Sequence, residues 1–283
     1  MTVSTTLLLR RRAANASFVV FCGLVTAIAL AALAAILWTL LSKGLGGVNL
    51  DVFIKATPAP NSHGGLANAI LGSIGMCVAA MVMAVVIGML AGTWLAEYGQ
   101  RSRYGAVVRF MNDVLLSAPS ILVGLFVYEL LVHPFHSFSA IAGAVALALL
   151  AAPVITRTTE DVLSLQPTAL REAGVSLGAP LALIIREILW RSARNGLLTG
   201  ALLAFARISG ETAPLLFTAL NNQFFSFNPL KPTANLPVVI FNYALSPYDD
   251  WRNLAWAGAL LIAATVLVVT IVARIVAQEQ RRS

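Results

Sequence analysis

Residues 18–41 read FVVFCGLVTAIALAALAAILWTLL, twenty-four positions without a charged side chain. As a helix, this run reaches about 36 Å, enough to cross a hydrocarbon core of roughly 30 Å. It is too long for the apolar core of a secretory leader. The Trp38-Thr39-Leu40-Leu41-Ser42 segment that closes it lacks a small-residue cleavage pattern. It is therefore read as a retained helix. Working outward, five further apolar runs fall at about 68–96, 111–132, 139–157, 196–219 and 254–275. The expectation is an all-α, polytopic membrane protein with about six transmembrane helices. Residues 1–17 and 277–283 form terminal tails, and residues 18–276 form one membrane domain. Two longer polar stretches interrupt it, 158–195 and the Asn-, Pro- and aromatic-rich 220–253. Neither is large enough for a separate soluble domain.

Composition agrees. Hydrophobic residues make up 59% of the chain and charged residues 11%, against about 25% charge in soluble domains. Mean hydropathy is +0.84. The net charge of +7 does not indicate nucleic acid, because the basic residues are dispersed between apolar runs instead of gathered with aromatics. Their distribution follows the positive-inside rule. With a cytoplasmic N-terminus, fourteen arginines lie inside: Arg10, Arg11, Arg12, Arg101, Arg103, Arg109, Arg157, Arg171, Arg186, Arg191, Arg194, Arg274, Arg281 and Arg282. Only Lys43, Lys55, Lys231 and Arg252 fall outside, and Arg207 is left within a span. Both termini are thus expected in the cytoplasm.

Chemistry of the chain's own is not evident. Lys43, Lys55 and Lys231 are followed by Gly44, Ala56 and Pro232, so no phosphate-binding loop of the Gly-Lys-Ser/Thr kind exists. No zinc-helix motif of the His-Glu-x-x-His kind occurs. Cys22 and Cys77 sit in apolar runs and read as small hydrophobic filler. His133 and His136 are separated by Pro134 and lack a third ligand, so no metal site is expected. An energy source must come from a partner or an ion gradient.

Several pairs stand out within the apolar runs. Gly88 and Gly92, with Gly72, Ser73 and Gly75 before them, read as helix-packing positions. Arg109 and Asp113, four residues apart, read as a structural ion pair on one helix face. Glu129 lies near the outer end and reads as interfacial. In the fifth run, Arg207-Ile208-Ser209-Gly210-Glu211-Thr212-Ala213-Pro214 again places opposite charges four apart. A charge at the bilayer centre costs at least about 2.5 kcal/mol, so this pair implies either mutual pairing between helices or a wet anion path. On the second reading Arg207 attracts the anion, Glu211 shares the path, and Ser209 and Thr212 supply hydroxyls. Pro214 allows a kink.

The stretch 158–195 contains Gln166-Pro167-Thr168, a helix start, then Arg171-Glu172-Ala173-Gly174-Val175-Ser176-Leu177-Gly178, with Gly178 and Pro180 turning the chain into a second helix. This segment resembles the EAA loop of ABC importer permeases. Glu172, Ala173, Gly178 and Ile188 fall at the family spacing, while Gly174 replaces the second alanine and Trp190-Arg191 stands where Leu-Pro is usual. By that resemblance the chain has the permease (MetI-like) fold, and the short helix docks on a separate ATPase.

From about residue 66 onward, the Gly-Glu-Thr-Ala-Pro-Leu-Leu-Phe-Thr-Ala run at 210–219 and Phe110-Met111-Asn112-Asp113-Val114-Leu115-Leu116-Ser117-Ala118-Pro119 resemble the phosphate-importer permeases of the Pst type, in the PstA-like and not the PstC-like subunit. The resemblance implies a permease subunit in a bacterial inner membrane, without an ATPase motif of its own. Its implied partners are a homologous PstC-like permease, a PstB-like ATPase dimer that binds ATP and magnesium, and an extracytoplasmic PstS-like phosphate-binding protein. A permease for another oxyanion such as sulfate or molybdate stays open, as does a gradient-driven secondary transporter.

Overall fold

The computed structural model describes residues 5–279, and among these every regular element is helical. In chain order they are α1 (Thr5–Gly47), α2 (Leu50–Ile54), α3 (Ala67–Glu97), α4 (Arg103–Ser117), α5 (Ser120–Val127, continued by a π-helical turn Tyr128–Val132) and α6 (Ala140–Ser164). They continue with α7 (Thr168–Ser176), α8 (Leu181–Leu183), a π-helical segment Ile184–Leu189, α9 (Trp190–Ile208), α10 (Ala213–Thr218), α11 (Leu236–Ala244) and α12 (Asp249–Glu279). Most of the segment set apart as an N-terminal tail is therefore helical from Thr5. Residues 1–4 and 280–283, with Arg281 and Arg282, lie outside the described residues.

By length and composition α1, α3, α6 and α12 can cross a membrane, and a fifth crossing is available if α4 and α5 count as one bent span. The expected third and fifth spans are both broken. Pro119 lacks a backbone N–H and forces its predecessor out of the helical region; Ala118 accordingly has ψ 134°, and α4 and α5 meet at 104°. The fifth run stops at Ile208 and resumes at Ala213, because Ser209-Gly210 ends α9 and Pro214 cannot extend it. Arg191, Arg194 and Arg207 also make α9 more polar than the other long helices.

The core is built on α6, the most buried of the long apolar helices. Bilayer lipid supplies no hydrophobic drive between helices, so close packing by small residues is what joins them. Gly88 and Gly92 of α3 press on α6, where a Cβ at Gly92 would lie 2.5 Å from the Thr156 carbonyl oxygen. On a neighbouring face of α6, Gly196 and Gly200 of α9 meet Val162 and Thr158 in the same way. Pro153 interrupts the α6 hydrogen-bond ladder, and Asn112 of α4 donates to its carbonyl at 3.2 Å. Ser139 opens α6 by accepting the Ala142 N–H at 3.1 Å.

Composition marks 220–253 as a loop, yet it contains α11, capped by the fully buried Asn235, which accepts the Val238 N–H at 3.0 Å. The strand-like entry to α11 lies against α3: a Cβ at Gly72 would fall 2.0 Å from the Ala234 oxygen, and the Leu236 N–H donates to Ser73 Oγ at 2.7 Å. At the same end, buried Asn68 accepts the Thr57 N–H at 2.9 Å and donates to the Asn222 carbonyl at 3.0 Å.

Candidate functional site

Two regions carry the residues singled out by the sequence. The first is the helix–turn–helix of residues 165–189, which projects beyond the end of the bundle where α3 and α6 finish. Helix α6 extends to Ser164 and α9 begins at Trp190, so the polar stretch of 158–195 is helical at both of its ends. Helix α7 closes in a Schellman turn: the Ala179 N–H reaches the Gly174 carbonyl at 3.2 Å and the Gly178 N–H reaches the Val175 carbonyl at 2.9 Å. Gly178 sits at φ +75°, the left-handed conformation that turn requires. Gly174 is buried, and a Cβ there would lie 2.7 Å from Ile184 Cγ1. The glycine that departs from the EAA pattern thus makes room for Ile184. Glu172, Ala173, Val175 and Leu177 face outward from the bundle.

Arg171 does not share that exposed face. Its Nε and Nη2 grip the Glu97 carboxylate at the end of α3, with distances of 3.0 and 2.6 Å. Its Nη1 and Nη2 also donate to the carbonyls of Gln166 and Leu163, each at 3.0 Å. Side-chain exposure is 21% for Arg171 and 5% for Glu97. The hydrogen bonds to Glu97 push the Arg171 guanidinium further above its ordinary pKa, against the opposing effect of burial.

The Arg109–Asp113 pair is corrected by the structure. Arg109 Nε instead meets Glu160 Oε1 of α6 at 2.5 Å, and its Nη2 and Nη1 donate to the Leu95 and Gly99 carbonyls at 3.1 and 3.3 Å. Asp113 is exposed and pairs with no cation among the described residues. The helix-face argument fails here because Arg109 lies at the packed side of α4, where a buried acid on another helix is nearer. Glu97 and Glu160 were both missed from the sequence. Each is an acid at the end of an apolar run on the arginine-rich side, and that placement was the available signal.

The second region is the break between α9 and α10. Since α9 ends at Ile208, Arg207 and Glu211 do not share a helix face, and no ion pair forms between them. Each charge sits where a helix dipole suits it: Arg207 in the last turn of α9, Glu211 just ahead of α10. Arg207 is exposed on this chain and Glu211 half-exposed. Ser209 Oγ donates to the Phe205 carbonyl at 2.6 Å, so its proton is already engaged. Thr212 caps α10 without using its hydroxyl and lines an apolar groove of about 850 Å³ with Gly210, α1, α11 and α12. Ser209 lines a different cavity of about 220 Å³. The four residues are gathered at one helix break but do not converge on one enclosed pocket.

This architecture resembles a chain in an inward-facing structure of the MetNI methionine ABC transporter, with a TM-score of 0.63 over 75% of this chain and 95% of that one at 21% identity. The fold is that of the membrane-spanning permeases of ABC importers. The model of the family described as "Binding-protein-dependent transport system inner membrane component" matches residues 84–282, and the chain belongs to this family, in its PstA branch. The phosphate transport system permease protein PstA of Haemophilus influenzae is 54% identical, covering 87% of each chain. That of Xylella fastidiosa is 53% identical over 96% of each. PstA 1 of Mycobacterium tuberculosis is 33% identical over 98% of this chain and 92% of its own.

Proposed function

We propose that this chain is the membrane-spanning subunit through which an ATP-driven importer moves inorganic phosphate. The observation that carries the reading is identity above 50% with phosphate permeases along almost the whole chain. Arg207, exposed and without an ion-pair partner among the described residues, in a region that must sit in or beside the membrane, supports it. Such a charge needs water, a partner subunit or an anion to offset its desolvation. Phosphate supplies the anion, and a guanidinium binds it with two parallel hydrogen bonds. Thr212 has a free hydroxyl to donate, whereas Ser209 must first rotate away from the Phe205 carbonyl. Glu211 accepts a hydrogen bond from a protonated phosphate oxygen and repels an anion without a proton, such as sulfate. Because these groups line an open break and not a closed pocket, a second, homologous permease subunit completes the path.

In this reading both termini are cytoplasmic, as the arginine distribution supports. The exposed face of α7, with Glu172, Ala173 and the Gly178 turn, docks on an ATPase dimer that binds ATP and magnesium. An extracytoplasmic phosphate-binding protein delivers its ligand at the opposite end, near the 220–235 loop. The chain itself hydrolyses nothing. ATP binding and hydrolysis alternate the access of the path by rocking the helices.

Uptake of radiolabelled phosphate at low micromolar concentration, in cells lacking this subunit and in cells with it restored, tests the proposal. Recovery that survives excess sulfate and yields to arsenate is expected. An inserted chain that restores no phosphate uptake, or that restores uptake blocked equally by sulfate, would overturn it.

A further inference from the structure

The two half-buried arginine–carboxylate pairs form a crossed clamp. Arg109 on α4 takes its carboxylate from α6 (Glu160) and gives its remaining donors to the last carbonyls of α3 (Leu95) and the turn after it (Gly99). Arg171 on α7 does the reverse. Its carboxylate comes from α3 (Glu97), and its remaining donors go to the end of α6 (Leu163) and the residue that leads into α7 (Gln166). Each guanidinium therefore ties α3 to α6 and both to a third helix.

The placement of Glu97 is unfavourable taken alone. A carboxylate at a helix C-terminus faces the negative end of the dipole, and this one is nearly buried. Helix α7 otherwise rests on apolar contacts: Gly174 sits on Ile184 within the same helical hairpin, and Leu170 packs against the cluster that contains Ala96 and Leu163 at the end of the bundle. Such contacts resist compression but not pulling or shear. A bidentate guanidinium–carboxylate pair has a fixed geometry and resists both.

We propose that Glu97 and Arg171 are positioning residues for transport: they transmit displacement of α7 into α3, and through the Arg109–Glu160 half of the clamp α3 and α6 move as one body. This rests on the reading of α7 as the surface that meets an ATPase. Because α3 runs unbroken from Glu97 to the Gly72–Ala234 and Asn68–Asn222 contacts, movement applied at one end reaches the opposite end of the bundle.

The test separates this link from simple stability. Glu97→Gln and Arg171→Met each orphan a buried group, and loss of assembly in either would say nothing of transmission. The double variant Glu97→Leu/Arg171→Met removes both charges and replaces the pair by an apolar contact, which preserves packing. It is purified with its partner subunits and placed in proteoliposomes, where phosphate transported and ATP hydrolysed are measured together. A second readout needs no substrate. In a Cys22→Ala/Cys77→Ala background, the exposed Ile74 of α3 is changed to cysteine, and its labelling by an impermeant maleimide is followed with and without ATP.

The expected result is an assembled double variant with ATPase activity within about twofold of the parent. Its phosphate-to-ATP ratio should be reduced at least tenfold, and its labelling at position 74 should no longer change with ATP. An unchanged ratio with ATP-responsive labelling overturns the proposal. If the parent transports no phosphate but its labelling responds to ATP and that of the double variant does not, the substrate assignment falls and the link stands.

Discussion

Gly174→Ala measures how tightly α7 is seated. The new methyl would lie 2.7 Å from Ile184 Cγ1, 2.9 Å from Cδ1 and 3.3 Å from Cγ2. Ile184 is fully buried in the π-helical segment, so only its Cδ1 has freedom to turn away. Overpacking of this kind costs about 1–3 kcal/mol. Alanine recovers up to about 1 kcal/mol of that through its better helix propensity. The balance weakens docking of α7 by about 1–2 kcal/mol, which corresponds to a local opening roughly 5–30 times more populated. Arg171 is held by three groups when α7 is docked, the Glu97 carboxylate and the Gln166 and Leu163 carbonyls, so tryptic cleavage after it reports the opening. On inside-out vesicles, cleavage in Gly174→Ala is expected to be faster by that factor. The double variant Gly174→Ala/Ile184→Ala trims all three facing atoms, and its effect should be smaller than the sum of the two single effects by about 1 kcal/mol or more. Cleavage in Gly174→Ala that is unchanged or slower would refute the reasoning, since helix propensity would then outweigh the wall formed by Ile184.

At Gly178 the space for a side chain is open and only the backbone objects, at φ +75°. Gly178→Ala should therefore cost about 1–2 kcal/mol of turn stability and Gly178→Asn less. Gly178→Asp, which the turn also tolerates, should keep the protein in the membrane but abolish phosphate uptake by placing a charge on the surface proposed to meet the ATPase; uptake equal to that of Gly178→Asn would count against docking there. Arg207→Gln should insert normally, because no ion pair is broken, and lower uptake at least tenfold. Glu211→Gln should raise inhibition of that uptake by sulfate, and both are read in the same competition assay. Within α3, Gly92→Ala meets the Thr156 backbone oxygen and should lower the melting temperature of the purified complex by several degrees. Gly75→Ala, with nothing within 4 Å, should leave it unchanged or raise it.

What the sequence disclosed follows the reach of each physical rule. Apolar runs are legible because a helix in lipid must satisfy its backbone internally and cover itself with hydrocarbon, and those demands are local. The breaks at Pro119 and at Ser209–Thr212 are also local, yet average hydropathy over twenty residues smooths across them. Helix α11 was hidden for the opposite reason: Asn235 and Pro237 read as loop residues, while in the structure they start a buried helix. The ion pairs were beyond any local rule. Spacing by four favoured Asp113 for Arg109, but the partner is Glu160, fifty-one residues away, and Glu97 lies seventy-four from Arg171. Those two pairings bear on the candidate site. They account for the arginines packed at the ends of α3 and α6, and they show that this fold supplies carboxylates and carbonyls where it buries a guanidinium for structure. Arg207 receives neither, although Glu211 is four residues away and was free to serve. A chain able to pair Arg109 and Arg171 so fully has left Arg207 bare at a helix break. Among the described residues nothing compensates it, and on the proposed reading the compensation comes from water, a second permease subunit, or the anion carried between them.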